Sequence, residues 1–214
     1  MVDVVERISK DLISRDLNLE CDFRKYDPFS FEPNTEAQGC ILLVPGSAGS
    51  FKCWTTAHWI ELYQRLRSRN LRAAVVGQPQ KSPEVQELLA AGLPWISTPF
   101  FTDAVNVVSS ADAMISVDTG LMHLSVQQGK PTVAIFLERS IFVRPERNCI
   151  PILAPDCVKE CLGWITAPPN PAVNFQHYNE QEFVPCSAAP GKRCLEQISV
   201  DQVLDGLDRA LETT

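Results

Sequence analysis

The chain has 214 residues, 45% of them hydrophobic and 21% charged, a globular balance that leaves room for one good core or one core plus an appendage. Its formal charge of −7 excludes a general nucleic-acid or membrane surface, because both need a basic excess. The opening MVDVVERISKDL has no apolar h-region, and no apolar run approaches the roughly 20 residues of a membrane span. The expected compartment is therefore the cytoplasm, where the eight cysteines read as thiols or metal ligands rather than structural disulfides.

Along the chain, Val4, Val5, Ile8, Leu12 and Ile13 lie near one face of a predicted helix. Residues 21–39, with Pro28, Pro33 and Gly39, read as an extended linker, so 1–39 is taken as a helix and linker. From Cys40 to about Leu153 short apolar runs alternate with amphipathic stretches. The runs are ILLV (41–44), AAVV (73–76), AMISV (113–117), TVAIF (132–136) and IPIL (150–153). Near-continuous apolar strands suit a parallel sheet covered on both faces. Between them Trp59, Leu62, Tyr63 and Leu66 follow helical spacing, as do Val85, Leu88 and Leu89, and again Ala104, Val107 and Val108. The strand-helix alternation over 40–153 predicts an α/β doubly wound domain. Residues 154–198 fit neither period and hold six of the 16 prolines, which marks an irregular Cys/Pro-rich insertion. Residues 199–214 predict a closing helix that packs back on the domain: Ser199 and Gln202 form a capping box, and Val203, Leu204, Leu207 and Leu211 form the buried stripe.

Two strand-to-helix junctions could carry chemistry. At ISVDTGLMH (115–123) a strand ends at Val117 and a helix is predicted to begin after Thr119-Gly120. Helix N-termini expose unpaired N–H groups at a positive dipole end, the usual place for a phosphate in an α/β sheet. Gly120 admits a ligand close to the backbone, and the Thr119 hydroxyl can donate to a phosphate oxygen. Asp118 would repel a phosphate, so its useful partners are sugar hydroxyls; His123 lies one turn further in, on the same side. A plain reading stands beside this one: Asp118 or Thr119 caps the helix, and His123 is an ordinary helix residue. At VPGSAGSFKCW (44–54) a run of small residues offers its amides to an anion, and Lys52 adds a positive charge before a helix from about Thr56. The spacing is not that of a nucleotide-triphosphatase P-loop. Cys21, Cys40, Cys53 and Cys149 read as isolated thiols, Trp54 and Trp59 as core anchors, and His58 and His177 as residues without evident partners.

Taken together, PGSAGSFKCWTTAHWIELYQRL (45–66), VVGQP (75–79) and PFFTDAVNVVSSADAMISVDTGLMHLSVQQGKPTVAIF (99–136) resemble the C-terminal domain of the family 9 glycosyltransferases, the bacterial lipopolysaccharide heptosyltransferases and their relatives. The resemblance implies a Rossmann-like sheet, one half of a B-type glycosyltransferase fold, with the cleft between two such domains. It implies that Ser47 and Lys52 contact the donor diphosphate; Ala48 stands where a hydroxyl is frequent. It implies that Asp118, Thr119, Gly120 and His123 hold the diphosphate and donor sugar, and that Gln78, Glu84 and Pro99 line the nucleotide. ADP-heptose is the donor it favours. Leu137-Glu138-Arg139-Ser140 departs from the family's Gly-Pro-Thr, which alters one wall of the donor site.

The family takes its catalytic base and acceptor site from an N-terminal domain, and nothing before Cys40 resembles one. The expectation is an excised domain, a truncated product or one part of a split enzyme. Such a chain would bind a nucleotide sugar, need an acceptor domain or partner chain, and be inactive alone. No divalent metal is expected at the phosphates, in keeping with the lack of an Asp-x-Asp cluster. Cys157, Cys161, Cys186 and Cys194 are candidates for a metal staple of the irregular segment, or are four ordinary thiols. The likeness to the autotransporter heptosyltransferases implies iron there, with zinc the other candidate. A non-catalytic binding or assembly module on the same fold is the alternative reading, and a sugar-nucleotide epimerase relative a poorer third.

Overall fold

The computed structural model describes residues 32–47, 52–136, 148–154 and 194–212. The elements, in chain order, are β1 (Cys40–Val44), α1 (Thr56–Ser68), β2 (Arg72–Val76), α2 (Pro83–Ala90), β3 (Trp95–Ile96), α3 (Phe101–Ser110), β4 (Ala113–Val117), α4 (Gly120–Gln127), β5 (Thr132–Phe136), β6 (Cys149–Leu153), a 3-10 turn at Cys194–Gln197 and α5 (Val200–Glu212). The six strands form one parallel sheet in the order β3-β2-β1-β4-β5-β6. This is the α/β doubly wound, Rossmann-like sheet expected from the apolar runs. The two-residue strand β3 has too few residues to show a period and was not legible as a run.

Strand alternation sorts the core into two faces. Ile41, Leu43, Ala73, Val75 and Ile115 pack with Trp59, Leu62 and Leu66 of α1, Val85 and Leu88 of α2, and Val203, Leu204 and Leu207 of α5. Leu42, Val44, Ala74, Val76 and Met114 pack on the other side, with Val105, Val107 and Val108 of α3 and Leu124 of α4. Successive strand residues point to opposite faces, and both are covered, so every position of β1, β4 and β5 is buried. A fully buried side chain such as Leu43 contributes about 1.5–3 kcal/mol by leaving water.

The chain's last helix sits on the sheet at close range. A Cβ on Gly206 would lie 3.1 Å from Ile152 Cδ1 and 3.4 Å from Val133 Cγ1, so a larger residue here would have to push the Ile152 tip aside or lift α5 from the sheet. Its capping box is complete: Ser199 N–H donates to Gln202 Oε1 at 2.8 Å, and Gln202 N–H donates to Ser199 Oγ at 3.3 Å. One member of the expected stripe is misplaced. Leu211 is exposed, and Val200, Gly206 and Ala210 complete the buried face instead, because helical drift over three turns carries residue 211 off the sheet side. Trp54 and Trp59 are fully buried and meet edge to face at 5.3 Å, and Trp54 Nε1–H donates to Ile198 O at 3.0 Å. His58 is not partnerless: it stacks on Trp54 at 4.9 Å and its Nδ1 lies 2.7 Å from Thr55 Oγ1, the N-cap of α1. The end of the stretch read as a linker is a turn rather than extended chain. Residues 35–39 fold around a buried Ala37, whose N–H donates to Asn34 Oδ1 at 3.0 Å. The helix predicted over residues 2–14 lies outside the described residues.

Candidate functional site

The connection after β1 leads to α1 on one face, while that after the neighbouring β4 leads to α4 on the other. Chains leaving adjacent strands toward opposite faces open a crevice at their carboxyl ends, the place where such sheets bind ligands. Both sequence-predicted loops end there, and they are tied together. Ser47 Oγ donates to the backbone oxygen of Asp118 at 2.8 Å. Lys52 Nζ donates to Asp118 Oδ2 at 2.7 Å, with both side chains still partly open to solvent. Lysine and aspartate, assigned separately from the sequence to phosphate and sugar, thus hold each other across the crevice.

Thr119 caps α4 in an extended conformation and its side chain makes no capping bond, which leaves the hydroxyl uncommitted to the helix. The first amides of the eight-residue helix have no carbonyl to pair with inside it. A Cβ at Gly120 would meet nothing within 4 Å, so the approach to these amides is open. Burial pushes the His123 imidazole below its ordinary range; the Asp118 carboxylate opposes the shift, and the Lys52 ammonium adds to it. His123 is therefore neutral at pH 7, able to donate one hydrogen bond and accept another.

A cavity of about 410 Å³ runs from this point across the ends of β1 and β2. Gly46, Ser47, Thr119, Gln78, Lys81 and Ser82 line it, together with Thr98, Phe100 and Phe101. A Cβ on Gly46 would stand 2.6 Å from Ser82 Oγ, so this strand end accepts no side chain while α2 starts where it does. Gln78 also borders a smaller hollow of about 260 Å³ with Pro99. Glu84 lines neither. It sits in the first turn of α2, where its carboxylate accepts from Ser82 Oγ at 2.9 Å. Lys81, Thr98, Phe100 and Phe101 were not anticipated. One signal for them was present: an exposed pair of phenylalanines at a helix start, where a small polar cap is usual.

Residues 137–140 and three of the candidate metal ligands, Cys157, Cys161 and Cys186, lie outside the described residues; Cys194 opens the 3-10 turn. Among the described residues no group of three or more His, Cys, Asp or Glu could hold a metal ion. Cys40, Cys53 and Cys149 are buried, and burial raises the Cys40 thiol above its ordinary range. No helix among the described residues is long and apolar enough to cross a membrane.

A doubly wound sheet with a crevice at its switch point is an architecture that takes ligands at the carboxyl ends of its strands. The model of glycosyltransferase family 9 (heptosyltransferase) matches residues 8–145, and the chain belongs to that family. Among solved structures, it is similar to a family 9 glycosyltransferase from Veillonella parvula at 18% identity and a TM-score of 0.60, covering 85% of this chain and 48% of that one. It is similar to E. coli heptosyltransferase WaaC with ADP-2-deoxy-2-fluoro heptose at 21% identity and a TM-score of 0.56, covering 71% and 49%. A third likeness is to the iron-containing dodecameric glycosyltransferase TibC of enterotoxigenic E. coli, at 18% identity and a TM-score of 0.54, covering 86% and 47%. The chain spans about half the length of each of these structures. The search of the curated proteins gave no match.

Proposed function

We propose that this chain binds the nucleotide-diphosphate-sugar donor of a heptosyltransferase-like reaction, with ADP-heptose the favoured donor. The carrying observation is the convergence of Ser47 and Lys52 with Asp118, Thr119 and Gly120 at one crevice, although 66 residues separate Lys52 from Asp118. In this reading Lys52, Ser47 and the start of α4 take the diphosphate, and Asp118 and the neutral His123 take sugar hydroxyls. Gln78, Pro99 and Glu84 are assigned to the nucleoside side, with Glu84 also accepting from Ser82 Oγ. As transfer proceeds, charge builds on the departing nucleoside diphosphate. Fixed donors at Lys52 and the α4 amides stabilise that charge without reorganising. The attacking acceptor hydroxyl needs a base, which we place on a second domain or partner chain together with the acceptor site.

Support for the donor class comes from the WaaC structure, which holds an ADP-heptose analogue. Calorimetry with a panel of nucleoside diphosphates tests the reading, and no binding to any of them at millimolar ligand sinks it. Lys52→Ala should weaken diphosphate binding about ten- to hundredfold, the loss of a charge-assisted bond, while nucleoside binding stays level. A non-catalytic binding or assembly module on the same fold is the second reading. Turnover of a nucleotide sugar by this chain alone would dismiss it.

Four thiolates suit zinc or iron, and we propose Cys157, Cys161, Cys186 and Cys194 as such a site. Metal analysis of protein purified under reducing conditions decides; under about a tenth of an equivalent ends the idea.

A further inference from the structure

The crevice cavity brings two kinds of wall together. Ser47, which is bonded to the backbone of Asp118, and the capping Thr119 lie in its wall beside the Lys52–Asp118 pair. The same cavity is lined by two unusually open aromatics: Phe100 is 72% and Phe101 63% exposed. Large apolar side chains this exposed are informative when they are adjacent and line a concave site. Phe100 also breaks a local rule. It occupies the N-cap of α3, where serine, threonine or aspartate would bond a free helical amide, and it makes no such bond. The helix start is kept by Asp103, whose Oδ2 accepts from the Phe100 N–H at 2.9 Å, so the phenyl ring is not required for capping. Local rules broken without a gain in stability tend to mark function.

Resting on the donor-binding reading above, we propose that Phe100, supported by Phe101, is the stacking platform for the nucleobase of the donor and sets how strongly the base contributes to binding. A nucleoside diphosphate pairs the same two chemistries, an anionic diphosphate and a flat π-surface. With the diphosphate at Ser47, Thr119 and Lys52, the base lies toward β2 and α3. Stacking is tolerant of base identity, so the platform strengthens purine and pyrimidine nucleotides alike.

Calorimetry on the full chain with ADP, UDP and inorganic pyrophosphate tests this. Phe100→Ala should weaken ADP and UDP about five- to hundredfold, the range of one lost base–aromatic stack, and leave pyrophosphate within about twofold. Phe100→Trp should retain or strengthen nucleotide binding. Because Phe100 is exposed, both variants should keep the wild-type thermal midpoint, and Phe101→Ala provides a second, weaker perturbation of the same wall. Unchanged ADP and UDP affinity in Phe100→Ala overturns the platform while the donor site stands. Equal losses for ADP and pyrophosphate also overturn it, since the ring would then act through the loop. Failure of the wild-type chain to bind ADP, UDP and pyrophosphate removes the donor reading itself, and the platform with it.

Discussion

Replacing Asp118 by asparagine should strengthen the binding of inorganic pyrophosphate rather than weaken it. In the crevice the Lys52 ammonium is held by Asp118 Oδ2 at 2.7 Å, and an incoming diphosphate must compete for it. The two side chains are 36% and 23% exposed, so the pair is worth the modest amount of a solvated ion pair, about 0.2–1 kcal/mol. The carboxylate also repels the phosphate; two unit charges about 4 Å apart in a water-like dielectric cost about 1 kcal/mol. Removing both terms gives about 1–2 kcal/mol, or roughly five- to thirtyfold tighter pyrophosphate. The Ser47 bond runs to the backbone oxygen of residue 118 and survives the change. A nucleotide sugar should not share the gain, because losing charge-assisted bonds to sugar hydroxyls costs about 1.5–3 kcal/mol. Titration calorimetry with pyrophosphate and with ADP-heptose, at low salt and at high salt, reads both effects, and screening should shrink the pyrophosphate gain. Pyrophosphate binding that is unchanged or weaker in Asp118→Asn at low salt would refute the competition.

Two further predictions follow from the same crevice. Burial holds His123 below its ordinary value of 6.5, so the unfolded chain takes up its proton first as pH falls. The stability due to the neutral ring is complete above about pH 6.5 and is lost as pH drops through the lower folded value. The urea midpoint should therefore fall on acidification from pH 7.5, and His123→Gln should flatten part of that slope; an identical slope in the variant contradicts the assignment. The two site glycines should behave oppositely. Gly46→Ala forces a Cβ onto Ser82 Oγ, which also accepts from the Val85 N–H at the start of α2, and should cost about 1–3 kcal/mol of stability in urea unfolding. Gly120→Ala meets open space and should leave stability level or higher, yet weaken diphosphate binding by crowding the α4 amides. Equal midpoints for the two variants would show that Gly46 is not held against α2.

The apolar runs and helical spacings determined the doubly wound sheet, because strands buried on both faces must be apolar throughout and their covering helices need one apolar side. The capping box at Ser199 and Gln202 was likewise legible, since capping is local chemistry within four residues. Both loops of the crevice could be picked out as strand-to-helix junctions of small and polar residues. What they do to each other could not, because the Lys52–Asp118 pair depends on β1 and β4 being neighbours, and strand order is not a property of either loop. Tertiary structure alone turned Leu211 to solvent. It also gathered Lys81 from the β2–α2 connection and Thr98, Phe100 and Phe101 from the β3–α3 connection around one hollow. Periodicity in sequence reports which face of an element is buried; which elements share an edge, and so which side chains meet, is decided when the sheet closes its order.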